Sequence, residues 1–248
     1  MDEYHGKVAL ITGAGRGLGR EIALGFASLG AVVAANDINP IILDETINQI
    51  MQAGGSAKAY VFDVAKRMPI EGMIAQVLEH FGHIDVLVNH AMVVPEAYIL
   101  DMDEWEYHRT MDVNLGGPFF CMQQVGRVMR EHGGGAMVNI ISPVGNEHAP
   151  KACAAYLASQ AGMMSLTRAA AHELSAYNIR VNAVRTGLIE EDLFPSIGMD
   201  TATLRQWLES YPELKLGEHP DLVSLVLYLC SSEASSLTGQ VMSVGRGN

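Results

Sequence analysis

The sequence lacks any apolar run of about 18 residues, the length that a membrane-spanning helix needs. It is also poor in cysteine. Only Cys121, Cys153 and Cys230 occur, widely spaced and without the cysteine or histidine spacings of metal sites. We therefore expect no disulfide framework and no metal. The first residues, MDEYHGK, carry no signal-peptide pattern, and reduced cysteines are typical of a cytoplasmic protein.

Basic residues are scarce as well. The chain has 16 lysines and arginines against 28 aspartates and glutamates, which gives a formal net charge of −12. Nucleic acid is not expected as a partner, because phosphate backbones are bound through basic patches. We find no linker and no low-complexity stretch, so residues 1–248 are predicted to form one domain.

Short apolar runs alternate with longer amphipathic segments along most of the chain. Short β-branched runs without strict polar alternation are typical of strands covered on both faces. The pattern predicts an α/β fold of the Rossmann type, a doubly wound parallel sheet with helices on both faces. The predicted strands are 7–12, 31–35, 57–62, 85–89, 136–141, 180–184 and 240–244. The predicted helices are 17–29, 41–53, 69–81, 103–114, 116–132, 154–177 and 222–230, with an irregular substrate lid at 190–214.

A glycine-rich turn, TGAGRGLG at 12–19, follows the first predicted strand and opens the first helix. Glycines in that context allow backbone N–H groups to approach a pyrophosphate at the positive end of the helix. The alternative is a tight strand-to-helix turn that binds nothing. The context of strand, turn and helix favours a dinucleotide site.

Asp37 lies at the end of the second predicted strand, two residues after Ala35 and 24 residues after Gly13. A carboxylate there can accept hydrogen bonds from ribose hydroxyls and repels a 2′-phosphate, so it favours NAD over NADP. Arg16 in the glycine-rich turn weakens this preference, because an arginine can bind a phosphate. Asp37 could also be an ordinary surface turn residue, as the pair Asn36-Asp37 is typical of turns.

Further segments along the chain match one known family. They are Asp63-Val64, Asn89-His90-Ala91, Asn114 within VNLGG, VNIIS at 138–142, Tyr156, RVNA at 180–183 and SLTGQ at 236–240. With the glycine-rich turn, these segments resemble the classical short-chain dehydrogenases/reductases nearly end to end. The resemblance implies hydride transfer between a nicotinamide cofactor, here NAD, and a small alcohol or ketone.

The resemblance also implies roles for individual residues. Tyr156 would be the general acid/base, Ser142 would hydrogen-bond the substrate oxygen, and Asn114 would bend a helix and join the proton relay. Gln160 stands where the family has a lysine. Cofactor contacts are expected from Gly13, Arg16, Gly17, Leu18, Gly19, Asp37, Asp63, Val64, Asn89, Ala91, Tyr156, Gln160, Gly187 and Ile189.

The replacement of the lysine by Gln160 is the main departure from the family pattern. A glutamine can hydrogen-bond a ribose hydroxyl but supplies no charge. An unperturbed tyrosine has a pKa of about 10, so only about one in a thousand is phenolate at pH 7. Loss of a nearby cation removes the effect that would lower that pKa. Carbonyl reduction needs the neutral phenol, so it should suffer less than alcohol oxidation.

Other departures lie at the same predicted edge of the sheet. Met92 and His90 replace residues of the family's NNAG segment, and Thr186 replaces a proline. His90 could contact the cofactor or merely cap the end of a strand. Arg185 could supply the missing cation or pair with a nearby glutamate. Further departures or pocket positions are Pro143, His148, Lys151, Glu191 and Gly245.

Three functions stay open on the sequence alone. The first is an NAD-dependent oxidoreductase slowed by Gln160. The second is a non-catalytic NAD-binding protein or scaffold, and the third is a lyase or dehydratase that uses Tyr156 without hydride transfer. Small residues on several faces of the helices at 116–132 and 154–177, together with the resemblance, predict a homodimer or homotetramer.

Overall fold

The computed structural model describes residues 3–142, 152–186 and 218–244. The strands are β1 (Val8–Thr12), β2 (Val32–Asp37), β3 (Ser56–Val61), β4 (Val86–Asn89), β5 (Gly135–Ile141), β6 (Ile179–Arg185) and β7 (Val241–Ser243). The helices are α1 (Gly17–Ser28), α2 (Pro40–Gln52), α3 (Arg67–Phe81), α4 (Glu104–Met111), α5 (Gly117–Glu131), α6 (Ala154–Leu174) and α7 (His219–Cys230). A π-helical turn at Asp112–Gly116 joins α4 to α5.

All seven strands are parallel and follow the order β3-β2-β1-β4-β5-β6-β7, which confirms the predicted fold class. Side chains of β1 alternate between two cores. Ala9 and Ile11 belong to the core that includes α1 and α7, whereas Val8 and Leu10 belong to the core that includes α3 and α5. A strand that is buried on both faces carries apolar side chains on both of them. This explains why the sequence of β1, VALIT, does not alternate between polar and apolar residues.

The start of the chain is tied to α7. The Tyr4 hydroxyl donates to the Leu227 carbonyl, and the Glu3 carboxylate accepts from the backbone N–H of Ser232 at 2.9 Å. Tyr4 is almost fully buried and meets Phe26 of α1 edge-to-face, with ring centroids 5.0 Å apart. These contacts fix the β1 end of the molecule against its last helix.

Most element boundaries differ from the predictions by only a few residues. β2 extends to Asp37, beyond the predicted end at residue 35, because the Asn36 amide donates to the carbonyls of Tyr60 and Phe62 at 2.9 and 3.0 Å. The predicted helices 103–114 and 116–132 meet at the π-helical turn. The predicted lid at 190–214 lies outside the described residues.

The order of the sheet reverses between β1 and β4, which are neighbours although β2 and β3 lie between them in the chain. In such sheets, ligands bind beyond the carboxyl ends of the strands at this reversal. Within the three described ranges, no helix is long and apolar enough to cross a membrane.

Candidate active site

The turn after β1 is built so that no side chain fills it. Gly13 has a φ of +68°, and a Cβ placed there would lie 2.8 Å from the Ala91 Cα atom. A Cβ on Gly19 would lie 2.0 Å from the Gly13 carbonyl oxygen, a separation that no structure tolerates. Helix α1 begins at Gly17, with Leu18 and Gly19 buried beneath the turn. The turn therefore presents backbone and a helix N-terminus, the groups that favour a phosphate.

The end of β4 holds this turn from the other side. The Thr12 hydroxyl accepts from the backbone N–H groups of His90 and Ala91 at 3.1 and 3.2 Å. His90 Nδ1 lies 3.1 Å from the Gly13 carbonyl oxygen. The structure thus places His90 against the glycine-rich turn. Ala91 lies beside Gly13, and its cofactor role stays a prediction.

Asp37 lies beside the same turn, at the end of β2. Its Oδ2 accepts from the Gly15 N–H and its Oδ1 from the Asn39 N–H, both at 3.0 Å. Each carboxylate oxygen can accept more than one hydrogen bond, so ribose hydroxyls can still be recognised. Asp37 is therefore part of the turn and not only a surface residue. Arg16, the residue before α1, is exposed.

Asp63 follows β3 at the same edge. Its Oδ2 accepts from Arg109 of α4 at 2.8 Å, and its Oδ1 accepts from the Ala65 N–H at 2.9 Å. Burial alone raises the pKa of this carboxyl, but the hydrogen bonds and the charge of Arg109 outweigh burial and lower its pKa below 3.8. Val64 beside it is buried, and its carbonyl oxygen lies 2.7 Å from where a Cβ of Gly117 would be.

The two asparagines predicted at β4 and at the helix bend are buried. The Asn89 amide donates to Asn139 Oδ1 at 2.8 Å, while Asn89 Oδ1 has no hydrogen-bond partner among the described residues. Asn114 lies in the π-helical turn, where its amide accepts from the Val93 N–H and donates to the Val93 carbonyl, both at 2.8 Å. Asn114 therefore fixes the segment after β4, while its role in a proton relay stays a prediction.

Ser142 and Tyr156 are brought together from two elements. Ser142 directly follows β5, and Tyr156 lies in the first turn of α6 and is only 8% exposed. Burial raises the pKa of Tyr156 to about 12, although the hydrogen bond from Ser142 acts in the opposite direction. The phenol also donates to the thioether of Met92, with an oxygen–sulfur distance of 3.7 Å. The phenol is therefore protonated at neutral pH.

Gln160 follows Tyr156 by one turn of α6 and is 1% exposed. Its Oε1 accepts from the backbone N–H of Ser142 at 2.9 Å, and its amide lies 3.5 Å from the Ser159 hydroxyl. Gln160 thus contacts the serine that the sequence assigns to the substrate oxygen. Whether it also contacts a nicotinamide ribose stays a prediction.

Two further predictions concern the end of β6. Arg185 donates from Nε to the Ser243 hydroxyl at 2.9 Å, which holds it against β7. The described residues do not include the predicted cofactor contacts Gly187 and Ile189. They also do not include Pro143, His148, Lys151, Glu191 and Gly245. In the described part of the chain, no group of three histidine, cysteine or acidic side chains could hold a metal ion.

Sequence reasoning missed three residues of this site. Arg109 has no recognisable spacing to Asp63, and only the packing of α4 reveals the pair. Ser159 donates to the Tyr156 carbonyl at 2.6 Å and accepts from Asn114 at 3.3 Å, which links α6 to the π-helical turn. Met92 stood out as a departure from glycine, but its contact with the phenol could not be inferred.

A family model described as enoyl-(acyl carrier protein) reductase matches residues 13–248. The chain is 38% identical to a 3-oxoacyl-(acyl-carrier-protein) reductase FabG of Staphylococcus epidermidis over 242 residues, 97% of this chain and 98% of the relative. A crystal structure of a short-chain type dehydrogenase/reductase from Mycobacterium marinum superposes with a TM-score of 0.89 at 32% identity, over 97% of this chain and 94% of that one. The structure of a 7α-hydroxysteroid dehydrogenase complexed with NADH and 7-oxo glycochenodeoxycholic acid superposes with a TM-score of 0.89 at 30% identity, over 100% of this chain and 96% of that one.

Proposed function

This chain belongs to the short-chain dehydrogenase/reductase family, and we propose that it reduces the carbonyl group of a small molecule with NADH. Family membership implies an oxidoreductase that binds a nicotinamide cofactor. The observation that carries the finer proposal is the pairing of Ser142 with a buried, protonated Tyr156 at the edge that holds the glycine-rich turn.

The residues at this edge fit a dinucleotide. The turn at Gly13 and Gly19 has no room for side chains, and α1 starts beneath it. The carboxylate of Asp37 favours ribose hydroxyls over a 2′-phosphate, while the exposed Arg16 would favour a 2′-phosphate. Asp37 is held by two backbone N–H groups and Arg16 has no such constraint, so we propose NAD.

When bound, the nicotinamide supplies or accepts the hydride. Ser142 donates a hydrogen bond to the carbonyl oxygen of the substrate, which stabilises the negative charge that develops there. Tyr156 then gives its hydroxyl proton to that oxygen, acting as general acid. The substrate oxygen must replace the Met92 thioether as the acceptor of the phenol proton.

The protonation state of Tyr156 favours this direction. With a pKa of about 12, only about one phenol in 100,000 is ionised at pH 7. Alcohol oxidation requires the phenolate, so it should be slow at neutral pH. Gln160 brings no charge that would change this ratio.

The decisive experiment combines binding with turnover. Purified protein is titrated with NAD, NADH, NADP and NADPH by calorimetry, and NADH oxidation is followed with a panel of ketones and aldehydes. We expect tighter binding of NADH than of NADPH, and turnover that Tyr156→Phe abolishes. Asp37→Ala should reduce the difference in affinity between NADH and NADPH. Lack of binding of every coenzyme would refute the proposal, and tighter binding of NADPH would overturn the choice of NAD.

A second candidate is a protein that binds NAD without catalysis. Two observations favour it: the uncharged Gln160 follows Tyr156 by one turn of α6, and the phenol already donates to the Met92 thioether. Coenzyme binding together with no turnover on any carbonyl or alcohol of the panel would support this candidate.

A further inference from the structure

Gln160 connects a strand end to the helix that carries Tyr156. β5 ends at Ile141, whose carbonyl oxygen accepts from the Thr186 N–H at 2.8 Å. The next backbone N–H, that of Ser142, lies beyond the last residue that pairs β5 with β6 and donates to Gln160 Oε1 at 2.9 Å. A side chain of α6 therefore provides the acceptor for the backbone of Ser142.

We propose that Gln160 is a positioning residue, which anchors the backbone of Ser142 so that the serine hydroxyl faces the phenol of Tyr156. This role rests on the proposed carbonyl reduction. This role of Gln160 differs from the role that the family resemblance implies for the same position. The hydrogen bond from the Ser142 N–H requires an acceptor and not a charge.

The chemistry of the side chain supports this role. A carboxamide has an oxygen that accepts hydrogen bonds, whereas a lysine ammonium group has three donors and no acceptor. Gln160 is 1% exposed, so the bond to Ser142 is shielded from water. A lysine there would leave the Ser142 N–H without this acceptor and would place a charge in a buried position, both of which are unfavourable.

The surroundings of Gln160 hold it in place. Its amide group lies 3.5 Å from the Ser159 hydroxyl, which donates to the Tyr156 carbonyl and accepts from Asn114. Ser142, Gln160, Ser159 and Asn114 thus form a chain of contacts from β5 through α6 to the π-helical turn. Ser159 and Asn114 are themselves held by the carbonyls of Tyr156 and Val93, so these contacts support the orientation of the Gln160 side chain.

Hydrogen exchange of the Ser142 amide tests the anchor directly and without any activity. In the full-length protein we expect this amide to be protected, and to exchange at least about tenfold faster in Gln160→Met, which keeps the size but removes the acceptor. Burial favours the neutral, protonated form of a carboxyl group, so Gln160→Glu keeps an uncharged acceptor and should keep the protection, whereas Gln160→Lys should lose it. Gln124→Met, in α5 and hydrogen-bonded to Glu71 of α3, is the matched control and should change nothing at Ser142.

The amide of Val138, inside β5, shows whether a variant is folded, and it should stay protected in all of them. If a variant unfolds, the wild-type protein still decides, because an unprotected Ser142 amide there overturns the proposal. Equal exchange of Ser142 in the wild type and in folded Gln160→Met would overturn it too.

Kinetics separate positioning from general stability. We expect kcat for carbonyl reduction to fall at least about tenfold in Gln160→Met, with coenzyme Kd within about twofold, and to recover in Gln160→Glu. An increase of kcat in Gln160→Lys would show that the missing charge matters more than the anchor and would overturn the proposal. A wild-type protein without turnover would refute the proposed function, while the exchange result would still establish or refute the anchor.

Discussion

The environment of one hydroxyl group determines which reaction this site can perform. Tyr156 is buried, its oxygen meets Ser142 and Met92, and no lysine follows it by one helical turn. Burial disfavours the charged form of a phenol and therefore raises its pKa. A protonated phenol is an acid and not a base, so under the proposed function the site would give a proton to a carbonyl oxygen more readily than take one from an alcohol.

The pH dependence of the two directions tests this. The pKa of Tyr156 is raised to about 12, so the phenol stays protonated below that pH and gains phenolate only as pH approaches it. We expect kcat for carbonyl reduction to be constant from about pH 6 to pH 10, and the oxidation rate to rise about tenfold per pH unit over that range. A stopped-flow pH profile of both directions measures this. Reduction that falls with an apparent pKa near 7 would contradict a protonated phenol.

The sequence predicted which residues meet at this site but not what they contact. Tyr156, Ser142 and Asn114 were predicted from the resemblance of the segments around them to the family, and their catalytic roles stay predictions. The contact between Gln160 and the Ser142 N–H was not predictable, because the rotamer of a buried glutamine depends on packing from β5 and α6 together. The same holds for Met92, whose side chain reaches the phenol across two elements.

At the scale of elements, the glycine-rich turn depends on contacts between β1, α1 and β4. The sequence predicted it well, because strand, glycines and helix follow one another locally. The turn also depends on contacts of Gly13 with His90 and of Thr12 with Ala91, which join residues 77 and 79 positions apart in the chain. No local sequence pattern reveals such contacts.

Gly19→Ala should damage this turn. The added Cβ would lie 2.0 Å from the Gly13 carbonyl oxygen and 2.6 Å from His90 Nδ1, so α1 must shift away from the turn. We expect coenzyme affinity to fall at least about tenfold, measured by calorimetry. Gly72→Ala in α3 is the control, because the nearest atom to its Cβ is a Phe62 carbon at 3.5 Å and helix propensity favours alanine. Unchanged affinity in Gly19→Ala would show that the turn does not hold the coenzyme.

The ion pair of Asp63 and Arg109 links the end of β3 to α4. The pKa of Asp63 is lowered, so its contribution to stability is present above its unfolded value near 3.8 and is lost as pH falls through the lower folded value. Both side chains are about one-third exposed, which limits the contribution. We expect Arg109→Gln to reduce the free energy of unfolding by about 0.5–1 kcal/mol at pH 7.

Urea unfolding at several pH values measures this difference, which should shrink as pH falls below 3.8. Arg67→Gln removes an exposed ion pair with Glu71 within α3 and serves as the control, with a smaller effect. A destabilisation in Arg109→Gln that does not depend on pH would mean that packing of the arginine, and not its charge, stabilises α4.

At the scale of the whole molecule, the described surface offers a face for a second copy. Ala158, Ala161 and Ala169 are exposed on α6, and Phe119 on α5 is 45% exposed. Small residues let helices approach closely, and an exposed aromatic ring is often covered in an oligomer. This arrangement agrees with the predicted homodimer or homotetramer, which stays a prediction.

Light scattering at micromolar protein concentration tests the oligomeric state. We expect a dimer or tetramer, and Ala161→Arg should convert it to a smaller species because a charged side chain would enter the interface. Glu173→Arg, at an exposed position near the end of α6, shows whether added charge alone has this effect. A wild-type monomer would refute the prediction.

The contacts of Glu3 and Tyr4 with Ser232 and Leu227 join residues more than 220 positions apart. β1 lies in the middle of the sheet, yet one of its two covering layers combines α1 with α7, which is translated long after β1. During synthesis on the ribosome, the part of this apolar layer that α7 covers therefore stays exposed until residues 219–230 have left the exit tunnel. Nascent chains should consequently bind a chaperone that recognises apolar surface until that moment, and arrest of translation before residue 219 should prolong the association.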